Sequence, residues 1–287
     1  MTPIETRVRA NGLLHHVLTW NDSATASPTI VLLHGFLDMA WSFRDAAEIL
    51  ASRGHRVVAF DFRGHGESEW VGAGGYYHFA DYVLDLDELL PEIAPSPVHL
   101  VAHSMGGSVA VLFTASRPDK VKTLTLAEGL GPPEHPTDLA VEKMRAWLDG
   151  VRRVRSGTPK PLATVAEAFE RMRIQNPQLP EALGLFLAEK GTRALPDGRG
   201  RVWSFDPMHR TTSPQLFRRD VYDGYTRNVT VPTLLIRGEH GYRTPDDDAR
   251  AAMIPNAKAV TIASAHHMMH WTHAAEFADH VLQFIGS

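Results

Sequence analysis

The sequence predicts an α/β fold: a doubly wound, mostly parallel sheet of eight strands with a helical cap inserted late in the chain. Three observations predict it. Short apolar runs rich in Val, Ile and Leu recur and end in Gly-rich or polar turns, as strands buried on both faces of a sheet do. Segments of helical periodicity separate these runs, and strand–helix alternation marks parallel crossover units. From about Pro132 to Arg227 the alternation stops and helical stretches follow one another.

Taken in order, TRVRANGLLHHVLTW alternates on both sides of Asn11-Gly12, a dipeptide suited to the positive φ angles of a tight hairpin turn, so it reads as an antiparallel edge hairpin. The remaining strands are TIVLLHG (29–35), HRVVAFD (55–61), VHLVAHS (98–104), VKTLTLAE (121–128), VPTLLIRG (231–238) and AKAVTIAS (257–264). Helical patterns span 42–52, 79–93, 107–117, 247–254 and 274–285. Within the break lie TDLAVEKMRAWLDGVRRV, TVAEAFERMRIQ and PEALGLFLAEKG. Thr164 and Glu167 stand at capping-box spacing, and Gly191 is a natural helix terminator. Ser213-Pro214 reads as a further helix start, and the proline-bearing stretches 132–136 and 158–161 as turns. The chain thus divides into core (1–131), cap (132–228) and core (229–287).

Composition narrows the function. With 44% apolar and 22% charged residues and a formal charge of -4, the chain resembles an average globular protein and is no polyanion binder, which disfavours nucleic acid. It has no cysteine, which excludes disulfides, thiolate catalysis and Cys-based metal sites. The start, MTPIETRVRANG, lacks the apolar segment of a signal peptide, and no run nears the roughly 18 apolar residues of a membrane span. A soluble, cytoplasmic protein is expected.

The strongest motif is LVAHSMGG (100–107), which puts Ser104 directly after an apolar strand and before an apolar helix, with small neighbours at Ala102 and Gly106. That is the setting of a nucleophile elbow, where a serine is held in a strained turn. Here the sequence resembles the α/β-hydrolase superfamily, with Ala in the first position of its G-x-S-x-G pattern. LLHGFLD (32–38) resembles the family's oxyanion loop, and DFRGHGES (61–68) its following turn. The resemblance implies an oxyanion hole from the backbone N–H groups of Phe36 and Met105. His34 is read as holding the loop, and the 61–68 turn as scaffold.

The family's chain order, Ser, acid, His, implies a base after the last strand, where ASAHHMMHWTH (263–273) lies. Aligning its apolar turn puts the base at His267, with His266 one register step away. His270 and His273 are expected on the rim or surface of the helix. His266 and His270 have helical i, i+4 spacing, but no carboxylate or cysteine accompanies them at ligand spacing, so no metal is expected.

Family members usually place an Asp three or four residues after the glycine of the strand read here as VPTLLIRG. Those positions are Gly241 and Tyr242. Three alternatives remain. Glu128 ends the strand after the nucleophile and is followed by Gly129; some family members, certain thioesterases among them, carry a Glu there. Glu239 suits a turn, and Asp246, Asp247 and Asp248 suit the start of a helix. Glu128 is the preferred acid.

In the cap, RVWSFDPMHRTTSP (201–214) resembles a segment of the serine hydrolase-like branch. Trp203 and Phe205, with Met268 beside the base, are candidate substrate contacts, although anchoring the cap to the core is the preferred explanation of the two aromatics. Arg152, Arg153 and Arg155 read as a solvated helix face. The expectation is a serine esterase acting without cofactor on a small-molecule ester. A thioesterase, a carbon–carbon bond hydrolase and a non-catalytic binding protein are the rivals.

Overall fold

The computed structural model describes residues 1–24, 28–158 and 160–286. Pro159, within one expected turn, lies outside the described residues. The strands are β1 (Ile4–Ala10), β2 (Leu13–Trp20), β3 (Ile30–Leu33), β4 (Val57–Phe60), β5 (Val98–His103), β6 (Val121–Ala127), a small pair β7 (Thr192–Ala194) and β8 (Arg201–Trp203), then β9 (Thr233–Gly238) and β10 (Ala257–Ile262). Eight of them form one sheet in the order β1-β2-β4-β3-β5-β6-β9-β10. The β1–β2 and β2–β4 pairs are antiparallel and the others parallel.

Sequence alternation explains why both sheet faces are covered. In β3, Val31 and Leu33 enter one apolar core while Ile30 and Leu32 enter the other, because successive side chains point to opposite faces. Burying each such aliphatic chain contributes about 1.5–3 kcal/mol. The first core is covered by α2 (Phe79–Ile93) and α3 (Met105–Ser116), the second by α1 (Arg44–Ser52) and, near the C-terminus, α10 (Ala274–Ile285). The hairpin turn follows its chemistry, with Asn11 at φ 45° and Gly12 at φ 78°.

Between β6 and β9 lie α4 (Ala140–Ser156), α5 (Val165–Gln175), α6 (Glu181–Lys190) and α7 (Arg219–Arg227); α8 (Asp247–Ala251) and α9 (Met269–Thr272) follow. Thr164 caps α5 by accepting from the Glu167 N–H at 3.1 Å. Two sequence expectations need correction here. The segment also contains the β7–β8 hairpin, whose three-residue strands are too short to show periodicity. No helix starts at Ser213-Pro214; α7 begins at Arg219, because Phe217 donates its N–H to His135 Nδ1 at 3.1 Å and accepts from the His135 N–H at 3.4 Å. Those bonds tie the stretch to the 132–136 turn in place of a helical ladder. No helix among the described residues is long and apolar enough to cross a membrane.

Candidate active site

Ser104 sits between β5 and α3 at φ 51°, ψ −117°, a backbone conformation that costs a non-glycine residue free energy of order 1–3 kcal/mol. Its surroundings hold it there. The Ser104 N–H donates to the Ala127 carbonyl at 3.0 Å, and the Gly107 N–H donates to the Ser104 carbonyl at 2.9 Å. Gly107 and Gly129 pack backbone to backbone, so that a Cβ on Gly107 would lie 2.5 Å from the Gly129 Cα. This contact lets the start of α3 abut the end of β6, which brings residue 128 to the same edge as Ser104.

His267 Nε2 lies 3.1 Å from Ser104 Oγ, and His267 Nδ1 lies 2.6 Å from Glu128 Oε2. The Glu128 side chain is 1% exposed and leaves its strand at φ 50°. Its carboxylate also accepts from the Gly238 N–H at 2.9 Å and the Tyr242 N–H at 2.7 Å. Three donors thus hold and orient one buried carboxylate. Gly241 is part of that arrangement: a Cβ there would overlap Glu128 Oε1.

The other acidic candidates are engaged elsewhere. Glu239 Oε2 accepts from the Ser264 N–H at 2.7 Å. Asp246 pairs with Arg250 at 2.9 Å, while Asp247 and Asp248 each pair with Arg237 at 2.9 Å. His266 is exposed and lies against the His240 ring, with centroids 5.4 Å apart.

Phe36 follows β3 on a loop braced by His34. The His34 ring is fully buried; its Nδ1 faces the Gly35 carbonyl at 2.7 Å and its Nε2 accepts from the Phe62 N–H at 2.9 Å. Since a carbonyl only accepts, the proton is on Nδ1, and both ring nitrogens are committed to the loop. Neither the Phe36 N–H nor the Met105 N–H has a backbone or side-chain acceptor among the described residues. Both residues line one cleft with Ser104.

A cleft of about 380 Å³ opens over Ser104. Its wall is mainly aromatic and apolar, with Phe36, Tyr76, Tyr77, Phe79, Tyr82 and Met208, and His209 as a polar group. No lysine or arginine lines it among the described residues. Burial holds His209 down to about 4, so it is neutral at ordinary pH.

A family model for the alpha/beta hydrolase fold matches residues 28–274. The chain belongs to the α/β-hydrolase family. Among relatives, it is 28% identical to an sn-1-specific diacylglycerol lipase of Mus musculus, covering 92% of this chain and 83% of the lipase. It is 22% identical to a serine hydrolase-like protein of Dictyostelium discoideum, covering 91% of this chain and 75% of that protein. Among solved structures, the thioesterase domain from the curacin biosynthetic pathway superposes with a TM-score of 0.86 at 29% identity, covering 99% of this chain and 100% of the domain.

Within this α/β hydrolase, several sequence expectations about side chains change. Trp203 and Phe205 stack on each other with centroids 6.1 Å apart and do not line the cleft. They anchor their segment, and Met208 and His209, a few residues on, reach the cleft instead. Met268 is packed against the second apolar core and is likewise absent from the wall. His270 is fully buried, not on the rim, because α9 turns it inward onto Phe43. Sequence reasoning missed the tyrosines of the cleft. YYHFADY (76–82) held the signal, an aromatic cluster at a helix start richer than core packing needs.

Proposed function

We propose that this α/β hydrolase cleaves neutral carboxylic esters of small or medium acyl groups through an acyl-enzyme on Ser104. The observation that carries the reading is the continuous hydrogen-bond chain from Ser104 Oγ through the His267 ring to Glu128 Oε2. In this reading His267 Nε2 takes the Ser104 proton as Oγ attacks the ester carbonyl. The Phe36 and Met105 N–H groups receive the developing oxyanion; such a donor is worth about 10²–10³ in rate. His267 then protonates the leaving alcohol and activates water to release the acid. Glu128 keeps the His267 proton on Nδ1 and stabilises the imidazolium, and the segment between β6 and β9 acts as a cap over the cleft. No step calls for a cofactor.

The cleft's chemistry supports the substrate class. Its aromatic wall suits an apolar acyl or aryl group, and without a cationic side chain on it an anionic substrate would be desolvated with no partner. That counts against carbon–carbon bond hydrolysis of dicarboxylates. Epoxide opening through Ser104 would leave an alkyl ether that water does not readily cleave. Thioester hydrolysis is the second reading, supported by the likeness to a thioesterase domain, since the same groups act on a better leaving group.

The test compares neutral aryl and alkyl esters, matched acyl thioesters and esters of dicarboxylic acids. The reading expects turnover of the neutral esters, roughly 10³-fold or more below wild type in Ser104→Ala. Preference for thioesters over matched esters would favour the second reading. Turnover of the dicarboxylate esters alone would overturn the substrate class. Neither turnover nor labelling of Ser104 by a fluorophosphonate would make the protein a binding module.

A further inference from the structure

Behind Ser104, three side chains from distant parts of the chain converge: Asp38 from the loop after β3, His103 at the end of β5 and His270 in α9. One ligand atom from each lies within 4.8 Å of the other two. The side chains are 7%, 1% and 0% exposed, respectively. His270 Nε2 and Asp38 Oδ2 are 3.7 Å apart, beyond hydrogen-bond reach. Among the described residues, nothing hydrogen-bonds to Asp38 Oδ2, His103 Nδ1 or either ring nitrogen of His270.

Hydrogen-bond chemistry fixes what His103 offers. Its Nε2 lies 3.0 Å from the His267 carbonyl oxygen, which only accepts, so the proton is on Nε2. A second proton, on Nδ1, would be buried with no acceptor, so Nδ1 presents a lone pair to the cluster. Gly35 keeps that face clear, since a Cβ there would lie 2.8 Å from His103 Nδ1. The His270 ring is held by packing between Phe43, 4.6 Å away, and His103, 4.4 Å away.

Two neutral imidazoles and a carboxylate, with one imidazole donating its other N–H to a backbone carbonyl, are the donor set and supporting bond of a zinc-type site. We propose that Asp38, His103 and His270 bind a divalent first-row transition cation such as Zn²⁺, and that its binding slows the chemistry at Ser104. Metal–ligand bonds of about 2.0–2.2 Å place tetrahedral ligand atoms roughly 3.5 Å apart, so atoms now within 4.8 Å of one another must close by up to roughly 1.3 Å. By sequence, His270 pairs with His266 and no metal is expected; this set was missed because its carboxylate comes from the opposite end of the chain to His270.

The slowing follows from position. The His103 ring packs against that of His267, tilted by 47° with centroids 4.6 Å apart, and its N–H holds the His267 backbone. Drawing His103 onto a cation moves the ring whose N–H holds the His267 carbonyl, which shifts His267 relative to Ser104 Oγ and slows turnover by roughly tenfold to a hundredfold. This second half rests on the role proposed for His267; the binding itself does not.

Calorimetric titration of EDTA-treated protein with ZnCl₂ tests the site, using wild type, Asp38→Asn, His270→Gln and His267→Ala, each checked for folding by circular dichroism. The proposal expects one tight Zn²⁺ that weakens at least tenfold in the first two variants and persists in His267→Ala. Should His270→Gln not fold, the near-isosteric Asp38→Asn carries the test. Anomalous scattering at the zinc edge should place the ion between Asp38 Oδ2, His103 Nδ1 and the His270 ring, and EDTA should restore turnover. Unchanged affinity in Asp38→Asn overturns the site, as does loss of binding in His267→Ala, which would put the ion on His267 itself. Tight binding at the three residues without slowed turnover would overturn the inhibitory half alone.

Discussion

The carboxylate of Glu128 fills the space that a side chain on Gly241 would need. Residue 241 is one of the two positions at which the family resemblance leads one to look for an aspartate, and its glycine is therefore more than a gap. Glu128 approaches from the neighbouring strand and delivers a carboxylate to His267 from there. Glycine at 241 and glutamate at 128 are two halves of one arrangement.

Gly241→Ala should accordingly act on His267 without touching it. The added methyl must displace the Glu128 carboxylate, so kcat should fall toward the level of a Glu128 variant, about 10²–10⁴-fold, with little change in KM. Steady-state kinetics on a neutral ester check this. Wild-type kcat in Gly241→Ala would mean the carboxylate is not needed where it lies.

Moving the acid back supplies a complementary case. In Glu128→Ala/Gly241→Asp the space vacated by Glu128 receives a shorter carboxylate from the neighbouring strand end. The double variant should recover at least tenfold in kcat over Glu128→Ala, while Gly241→Asp alone, with two carboxylates crowded together, should be poorly active. Additive losses would show that the two positions do not share one role.

The segment between β6 and β9 is tied to the loop after β4 beside the cleft. Tyr77 donates its hydroxyl to Asp206 Oδ2 at 2.7 Å, and the Asp206 N–H donates to the Gly64 carbonyl at 2.8 Å. Asp206→Ala leaves the Tyr77 hydroxyl with no acceptor for its proton and only the 3.3 Å bond it accepts from the Val71 N–H, and should cost about 1–3 kcal/mol of stability. Because Tyr77 and His209 line the cleft, KM for neutral esters should rise more than kcat falls. Denaturant melts and the KM-against-kcat split measure the two effects separately.

Stability should depend on pH through the buried pair of His16 and Asp61, whose side chains meet at 2.8 Å. Burial pulls the His16 pKa down, but the hydrogen bond and charge of Asp61 outweigh it and the net shift is upward from 6.5. For Asp61, burial pushes up and His16 outweighs it, so its net shift is downward from 3.8. The His16 contribution is then complete below about pH 6.5 and lost as pH rises through the raised value. The Asp61 contribution is present above 3.8 and lost as pH falls through the lowered value. Breaking the pair by His16→Gln should cost about 3–5 kcal/mol near pH 6, and the deficit should narrow at higher pH. Urea melts across pH 5–9 would show a constant deficit if the pair were not charged.

Much of this was legible in the sequence because it is local. The strands announce themselves as apolar runs, and Ser104 stands between a strand and a helix with small neighbours that a close approach requires. Glu128 was preferred on the family resemblance, since some members carry a Glu after this strand, while Glu239 and Asp246, Asp247 and Asp248 stayed open. What could not be read was which side chains share a space. Asp38, His103 and His270 meet only after the sheet orders its strands, and whether Trp203 or Met208 faces the cleft depends on the β7–β8 hairpin, whose strands are too short to leave a periodic signal.

The most direct test of the account compares Glu128→Gln with Glu239→Gln, two substitutions of the same chemistry on one sheet edge. Pre-steady-state hydrolysis of an aryl ester, read together with the rate of fluorophosphonate attachment to Ser104, measures how well His267 activates the nucleophile in each. Both rates should drop about 10³-fold or more in Glu128→Gln and stay within a few-fold of wild type in Glu239→Gln. Wild-type rates in Glu128→Gln, or the loss appearing in Glu239→Gln instead, would contradict it.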